Sequence, residues 1–283
     1  MASSAQDGNL VADPAAHRVV TLERPDGQHI IVYVDGSQAP AVKPSGYTRF
    51  VCMSDTHNAI NASYPVPDGD IFIHAGDLTS CGTSRQVKQA TEWLVSLSHP
   101  KKLVIAGNHD LAFDLETYDQ RWRGKLREPD DPVAVKRQLT EAGAGIVYLE
   151  ETLANLDASE GGWHVFGSPW QPAFGGWAFN GERGAFMKDR WRRIPEQTDI
   201  LITHGPPRGI LDRVFIGESC GCDDLLARIK QVRPLVHVFG HIHEGHGVLT
   251  DEHTVFINAS TLNHKYRPAH PAIVFDLGRK TET

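Results

Sequence analysis

Nine short apolar runs punctuate the chain after Tyr47: FVCM (50–53), DIFIH (70–74), KLVIAG (102–107), GIVYL (145–149), WHVFG (163–167), DILITH (199–204), LVHVFG (235–240), TVFINAS (254–260) and AIVFDL (272–277). Their length and their content of Val, Ile and Phe predict buried strands. Helical patterns lie between some of them. SRQVKQATEWLVSLSH (84–99) places Val87, Ala90, Leu94 and Leu97 on one face, with Thr83 or Ser84 as N-cap. DPVAVKRQLTEAG offers Asp131 as cap, Pro132 at the first helical position and Gly143 at the end. DDLLARIKQVRP opens on acidic residues and stops before Pro234. Strands alternating with helices predict an α/β protein built in layers. Upstream the pattern differs. Residues 1–16 are small and polar and read as a mobile tail. HRVVTLE and HIIVYV flank RPDGQ, a hairpin on an Asp-Gly turn. Residues 35–46, rich in Pro, Gly and Ser, read as a linker. The division is therefore 1–46 as tail, hairpin and linker, and 47–283 as one domain.

Composition narrows the class. At 40% hydrophobic and 22% charged residues, the 283-residue chain can bury a sizeable core. No apolar run reaches the roughly 18 residues of a membrane-spanning helix. The start, MASSAQDGNLVADPAAHRVV, lacks the basic stretch and apolar run of a secretory leader. Cys52, Cys81, Cys220 and Cys222 are too few for a disulfide scaffold and are expected as free thiols in a reducing, cytoplasmic setting. The formal net charge of -7 argues against a nucleic-acid partner. It leaves room for a small phosphorylated substrate, because bound cations invert the local sign. The sequence does not fix the oligomeric state.

The chemistry gathers at strand ends. Five of the runs are followed directly by Ser54-Asp55-Thr56-His57, Gly76-Asp77, Gly107-Asn108-His109-Asp110, Thr203-His204-Gly205-Pro206-Pro207 and Gly240-His241-Ile242-His243. Ligand sites of open α/β sheets collect at the carboxyl ends of strands, so five such motifs are expected to converge on one crevice. In extended chain, residues i and i+2 point the same way, which lets Asp55 pair with His57 and His241 with His243. Carboxylate, imidazole and amide donors suit Mn, Fe, Zn or Mg rather than a thiolate-loving ion, with Mn favoured. Asp55, His57, Asp77, Asn108, His204, His241 and His243 are too many for one ion. Two divalent ions sharing Asp77 would take four protein ligands each and could clamp a displacement at phosphorus.

The ordered series DTH, GD, GNHD, THGPP and GHIH resembles the calcineurin-like metallophosphoesterase family across roughly residues 48–265. SPWQPAFGGWAFN, THGPP and GHIHEGHG are similar to a narrower branch, the metallophosphoesterase-domain-containing proteins related to class III cyclic-nucleotide phosphodiesterases. The resemblance implies a β-sandwich flanked by helices, four layers in the order αββα, with the metal centre at one edge. It implies Asp55, His57, Asp77 and His243 on the first metal, and Asp77, Asn108, His204 and His241 on the second. A metal-bridging hydroxide would attack phosphorus in small phosphodiesters or phosphomonoesters, nucleotides among them. His109, not a ligand in this scheme, would stabilise a phosphoryl oxygen or protonate the leaving group. Asp110 is expected either to orient His109 or simply to start a turn. GD continues as LTSCG, without the Asp-Arg-Gly that protein phosphatases of the family carry. That argues against a phosphoprotein substrate.

Plainer readings cover the remaining residues. His74 and His237, inside apolar runs, are expected as satisfied core histidines, and His246 as a loop residue. Trp163, Trp170, Phe174, Trp177, Phe179, Phe186 and Trp191 follow no period and read as a long packed loop, the alternative being a wall for a nucleobase. Cys220-Gly-Cys222 reads as ordinary loop, Arg208 and Arg213 as solvated surface, and the acceptor patterns at Asn61 and Asn258 as chance. Three rivals remain: a nucleotide-binding regulator with low turnover, a phosphatase of a non-nucleotide metabolite, and a structural zinc protein.

Overall fold

The apolar runs become strands of two sheets in the computed structural model, which describes residues 19–23, 27–59, 65–251 and 253–280. The first sheet holds β1 (Val19–Glu23), β2 (His29–Tyr33), β3 (Tyr47–Met53), β4 (Ile71–Ala75), β5 (Lys101–Ile105) and β6 (Ile146–Tyr148). The second opens with β7 (Thr152–Asn155) and β8 (His164–Ser168). A short parallel pair, β9 (Gln171–Pro172) and β10 (Asn180–Gly181), stands apart. The second sheet continues with β11 (Ile200–Thr203), β12 (Val236–Phe239), β13 (Gly247–Thr250) and β14 (Val255–Asn258), and the chain returns to the first as β15 (Ile273–Gly278). The spatial orders are β1-β2-β15-β3-β4-β5-β6 and β13-β14-β12-β11-β8-β7.

Period-2 alternation builds the layers. Along β3, Phe50 and Cys52 join Ile73, Leu103 and Ile105 and meet Val165, Ile200, Ile202 and Val238 of the other sheet. Val51 and Met53 point the other way, into a cluster with Val87, Ala90 and Leu94 of helix α1 (Ser84–Ser96). Each strand thus serves a core between the sheets and a core beneath helices. The α1 start carries a capping box, Thr83 accepting from the Gln86 amide while Gln86 reaches back. After the one-turn α2 (Tyr118–Arg121), α3 (Pro132–Thr140) packs on α1, its first amides capped by Asp131. On the far side, α4 (Ala185–Arg192) packs on α5 (Asp223–Val232), sharing a cluster with Leu201, Phe239 and Phe256 of the second sheet. The result is the expected four-layer αββα sandwich.

The hairpin belongs to this sandwich. β1 pairs antiparallel with β2, and β2 with β15, Tyr33 opposite Val274. Gly36 donates to the Ala272 carbonyl at 2.8 Å, which ties down the linker. The boundary at 46/47 therefore marks a change of sequence pattern and not a break in packing. The residue 1–16 tail, Asp26 of the hairpin turn and Asn61 lie outside the described residues. Among the described residues no helix is long and apolar enough to cross a membrane, and all four cysteines are free.

Candidate metal centre

β3, β4 and β5 run parallel in one sheet and β11 and β12 in the other, so their five carboxyl-end motifs meet at one edge of the sandwich. Backbone bonds stitch the loops across the seam. The Thr261 amide donates to the Ser54 carbonyl at 2.9 Å, and the His241 amide to both Asp55 carboxylate oxygens at 3.1 and 3.0 Å. Ser260 adds its hydroxyl to Asp55 Oδ2 at 2.8 Å. Convergence does not come from extended chain. Asp55, His57, Asp77 and His241 all sit at positive φ, 55°, 43°, 53° and 67°, so left-handed turns aim these side chains, not the i, i+2 alternation read from the sequence. Such backbone in non-glycine residues is held only where the surroundings enforce it, and it clusters at functional sites. Close approach does the enforcing at Gly240, where a Cβ would collide with the Ser54 and Asp55 side chains.

The donor atoms fall into overlapping trios, each within 4.8 Å: Asp55, His57 and His243; His57, Asp77 and His109; Asp77, His204 and His241. Asp77 Oδ2 lies 3.5 Å from His57 Nε2 and 3.4 Å from His204 Nε2, which places one carboxylate between the outer groups. Asn108 Oδ1 is 3.0 Å from His204 Nε2. Tautomers are set from behind. His204 Nδ1 donates to the Ala75 carbonyl at 2.9 Å and His243 Nδ1 to the Asn263 carbonyl at 3.0 Å, so both present Nε2 to the centre. His57 is buried with neither ring nitrogen hydrogen-bonded. An orphaned buried imidazole beside two carboxylates, an amide and three more imidazoles is donor chemistry that suits a divalent metal centre.

The carboxylates and burial set the charge on each imidazole. Burial opposes charge on His204, yet Asp77 and then Asp55 lift it to about 9. Asp55 likewise overcomes burial to lift His243 to about 9. Burial drops His57 to about 4 and His241 to about 3, so both are neutral. Burial would raise the Asp77 carboxyl, but His204, His109 and His57 hold it well below the usual range. Without metal, His204 and His243 keep protons above the ordinary imidazole value of 6.5 and lose them through about 9. A cation must displace these protons. Apparent metal affinity should therefore climb about tenfold per pH unit for each ion between about pH 7 and 9, then level off. Competition with a chelating dye across that range measures it; a flat profile would contradict the assignment of these two imidazoles.

His109 is half-buried. Its Nδ1 faces the Ser80 carbonyl at 2.8 Å, its ring stacks on Trp177 at 4.0 Å, and its amide donates to Asp77 Oδ1 at 2.7 Å. Of the two readings left open for Asp110 the turn holds, since it opens the single 3-10 turn Leu111–Phe113 and the His109 ring is tethered to Ser80. The Asp110 carboxylate accepts instead from Gly107 N (2.8 Å), Leu78 N (3.2 Å), Thr79 N (2.9 Å) and Thr79 Oγ1 (2.7 Å). It is a buried clamp between the GD and GNHD loops. Asp110→Ala should destabilise the fold by about 3 kcal/mol or more, since it leaves several buried donors unpaired. Urea unfolding reads this directly, and a loss below about 1 kcal/mol would remove the clamp from the account.

His74 and His237 are core histidines, each pushed to about 3 by burial, bonded through Nε2 to Thr56 (3.1 Å) and Thr203 (2.8 Å) beside metal-ligand candidates, but only half satisfied because Nδ1 of each has no hydrogen-bond partner. His246 stacks on His270 at 4.5 Å. The aromatic segment divides: Trp163, Trp170, Phe179 and Trp191 are buried, α4 lies inside the segment, and Phe174 stands exposed. Asn258 is fully buried and bonds the Leu211 and Ile242 carbonyls. Sequence reasoning missed Ser260 and Tyr266, whose ring lies 4.9 Å from His57 and 5.1 Å from His243. Asn258-Ala-Ser260 ends a strand as the five motifs do, and that position was the available signal.

The sequence pattern of the calcineurin-like phosphoesterases matches residues 48–245. The chain is 44% identical over 255 residues to metallophosphoesterase domain-containing protein 1 of Homo sapiens, covering 86% of this chain and 75% of that one. It is 39% identical over 242 residues to a UPF0046 protein of Caenorhabditis elegans, covering 81% and 80%. Among solved structures, phosphopantetheinyl hydrolase from Mycobacterium tuberculosis shares the fold at a TM-score of 0.54 and 15% identity, covering 79% of this chain and 92% of that one.

Proposed function

Because the chain belongs to the calcineurin-like phosphoesterase family, we propose that this metal-dependent phosphoric ester hydrolase cleaves small phosphodiesters or phosphomonoesters, nucleotide esters among them. One observation carries the reading. Two trios, Asp55/His57/His243 and Asp77/His204/His241, come together at one strand edge, and members of both line a cavity of about 530 Å³. In this proposal Asp55, His57, Asp77 and His243 hold one divalent ion, and Asp77, Asn108, His204 and His241 hold a second, with manganese favoured. When bound, such a pair supplies Lewis acidity to water and to phosphoryl oxygens.

The chain's own groups supply the rest. With Nδ1 committed to the Ser80 carbonyl, His109 keeps Nε2 free to hold a proton against a phosphoryl or leaving oxygen. Trp177 fixes the ring plane, and the bond from the His109 amide to Asp77 fixes its distance from the centre. A loose phosphoryl-transfer transition state needs mainly such positioning and charge. The free thiols support a reducing, cytoplasmic setting.

The test is metal analysis of the purified protein followed by turnover of bis-p-nitrophenyl phosphate and p-nitrophenyl phosphate with added Mn. Hydrolysis of at least one, abolished by a chelator and restored by Mn, is expected. Failure on both, alongside tight nucleotide binding, would replace the enzyme reading with that of a regulator.

A further inference from the structure

The cleft extends well beyond its chemical floor. Away from the candidate ligands its wall includes Pro172, Ala173, Phe174, Val214 and Ile216, interspersed with Arg183, Glu218 and Glu244. Five large apolar side chains among the described residues are more than half exposed: Val42, Phe174, Phe215, Ile216 and Tyr266. Four of the five gather at this mouth. Phe174, Ile216 and Tyr266 line it, and Phe215 stacks at 5.5 Å on His264, which lines it too. Single exposed apolar residues need no explanation, but a cluster rimming a cavity marks a site.

The polar groups of the wall do not suit a polar arm. Arg183 donates to the Gly221 and Cys220 carbonyls at 2.7 Å each, and Glu244 accepts from the Phe215 amide at 2.9 Å. Both hold the loops in place. Glu218 and Glu244 also disfavour a second anionic group. We infer that the cleft carries an apolar subsite beside the metal centre, and that its preferred substrates are phosphodiesters with one alkyl arm, the phosphorus over the floor and the chain along Phe174 and Ile216. This inference rests on the phosphoesterase reading above.

The experiment uses metal-loaded protein and the p-nitrophenyl esters of methyl, butyl and octyl phosphate. In each turnover a water oxygen bonds phosphorus. The bond to the aryl oxygen breaks, p-nitrophenolate leaves with the electron pair, the water protons pass to solvent, and the alkyl phosphate remains. We expect kcat/KM to rise about twofold per methylene, roughly 100-fold from methyl to octyl, which is half the effect of full burial. With Phe174→Ser and Ile216→Ser combined, the octyl-to-methyl ratio within that variant should fall below about tenfold. A hexadecyl ester in neutral micelles is the lipid-borne arm: turnover there at the octyl rate or above assigns the chain to an aggregate, whereas turnover confined to dissolved esters assigns it to a free alkyl diester, and either supports the subsite. A flat alkyl series, or a thymidine p-nitrophenyl ester outrunning the octyl ester, overturns it. If no ester is cleaved, the phosphoesterase reading fails separately. Calorimetry then decides the subsite, because octyl phosphate must bind about 100-fold more tightly than methyl phosphate.

Discussion

Asp77→Asn protein should contain almost no metal and turn over phosphoesters at least about a thousandfold more slowly than the parent chain. The reason is placement. Asp77 Oδ2 lies 3.5 Å from His57 Nε2 and 3.4 Å from His204 Nε2, so one oxygen serves both sides of the centre. Two dications held roughly 3.5–4 Å apart repel strongly, and an anionic group between them offsets that repulsion. An amide is nearly isosteric, and its oxygen can still accept the His109 amide that Oδ1 accepts at 2.7 Å. The backbone should therefore survive while an N–H group faces the imidazoles. Elemental analysis of protein purified in parallel is the measurement. Two ions per chain in the variant would show that Asp77 is not shared.

His109→Ala should leave metal content unchanged while turnover falls by about 100-fold or more. The two halves of this expectation test different things. A ring nitrogen of His109 lies in a trio with His57 and Asp77, so loss of an ion would make His109 a ligand. Full occupancy with slow turnover assigns it to proton holding or charge stabilisation. Unchanged turnover would take His109 out of the chemistry.

Much of this was legible in the chain. Each of the nine apolar runs became a strand, because short runs rich in Val, Ile and Phe have few other ways to be buried; only β6 stays half-buried. Asp131-Pro132 and the cap candidates Thr83 and Ser84 announced their helices locally; the Gln86 half of the capping box did not. Helix α4 gave no such signal: Gly184 precedes it without a side-chain cap, and its apolar residues merge into an aromatic stretch. The edge strands β7 and β13 are only four residues long and incompletely buried, so their pattern is weak. The candidate ligands stood out because each follows a strand. The left-handed backbone of Asp55, His57, Asp77 and His241 did not, since φ depends on what the fold presses against the loop. Nor did the supporting contacts from the Ser80, Ala75 and Asn263 carbonyls, because every residue type has a carbonyl and only tertiary structure decides which one faces an imidazole.

The seam between the sheets couples metal binding to stability. Asp55 rides on the first sheet, yet it is bonded by the His241 amide and by Ser260, both of the second. Any cation binding there grips two layers at once, and a ligand that prefers the native state raises its stability by mass action. Amide hydrogen exchange at the carboxyl ends of β3 and β12 should slow together on loading with metal, while the distant β1 edge stays indifferent. The centre would then act as a fastener that sets how often the sandwich opens.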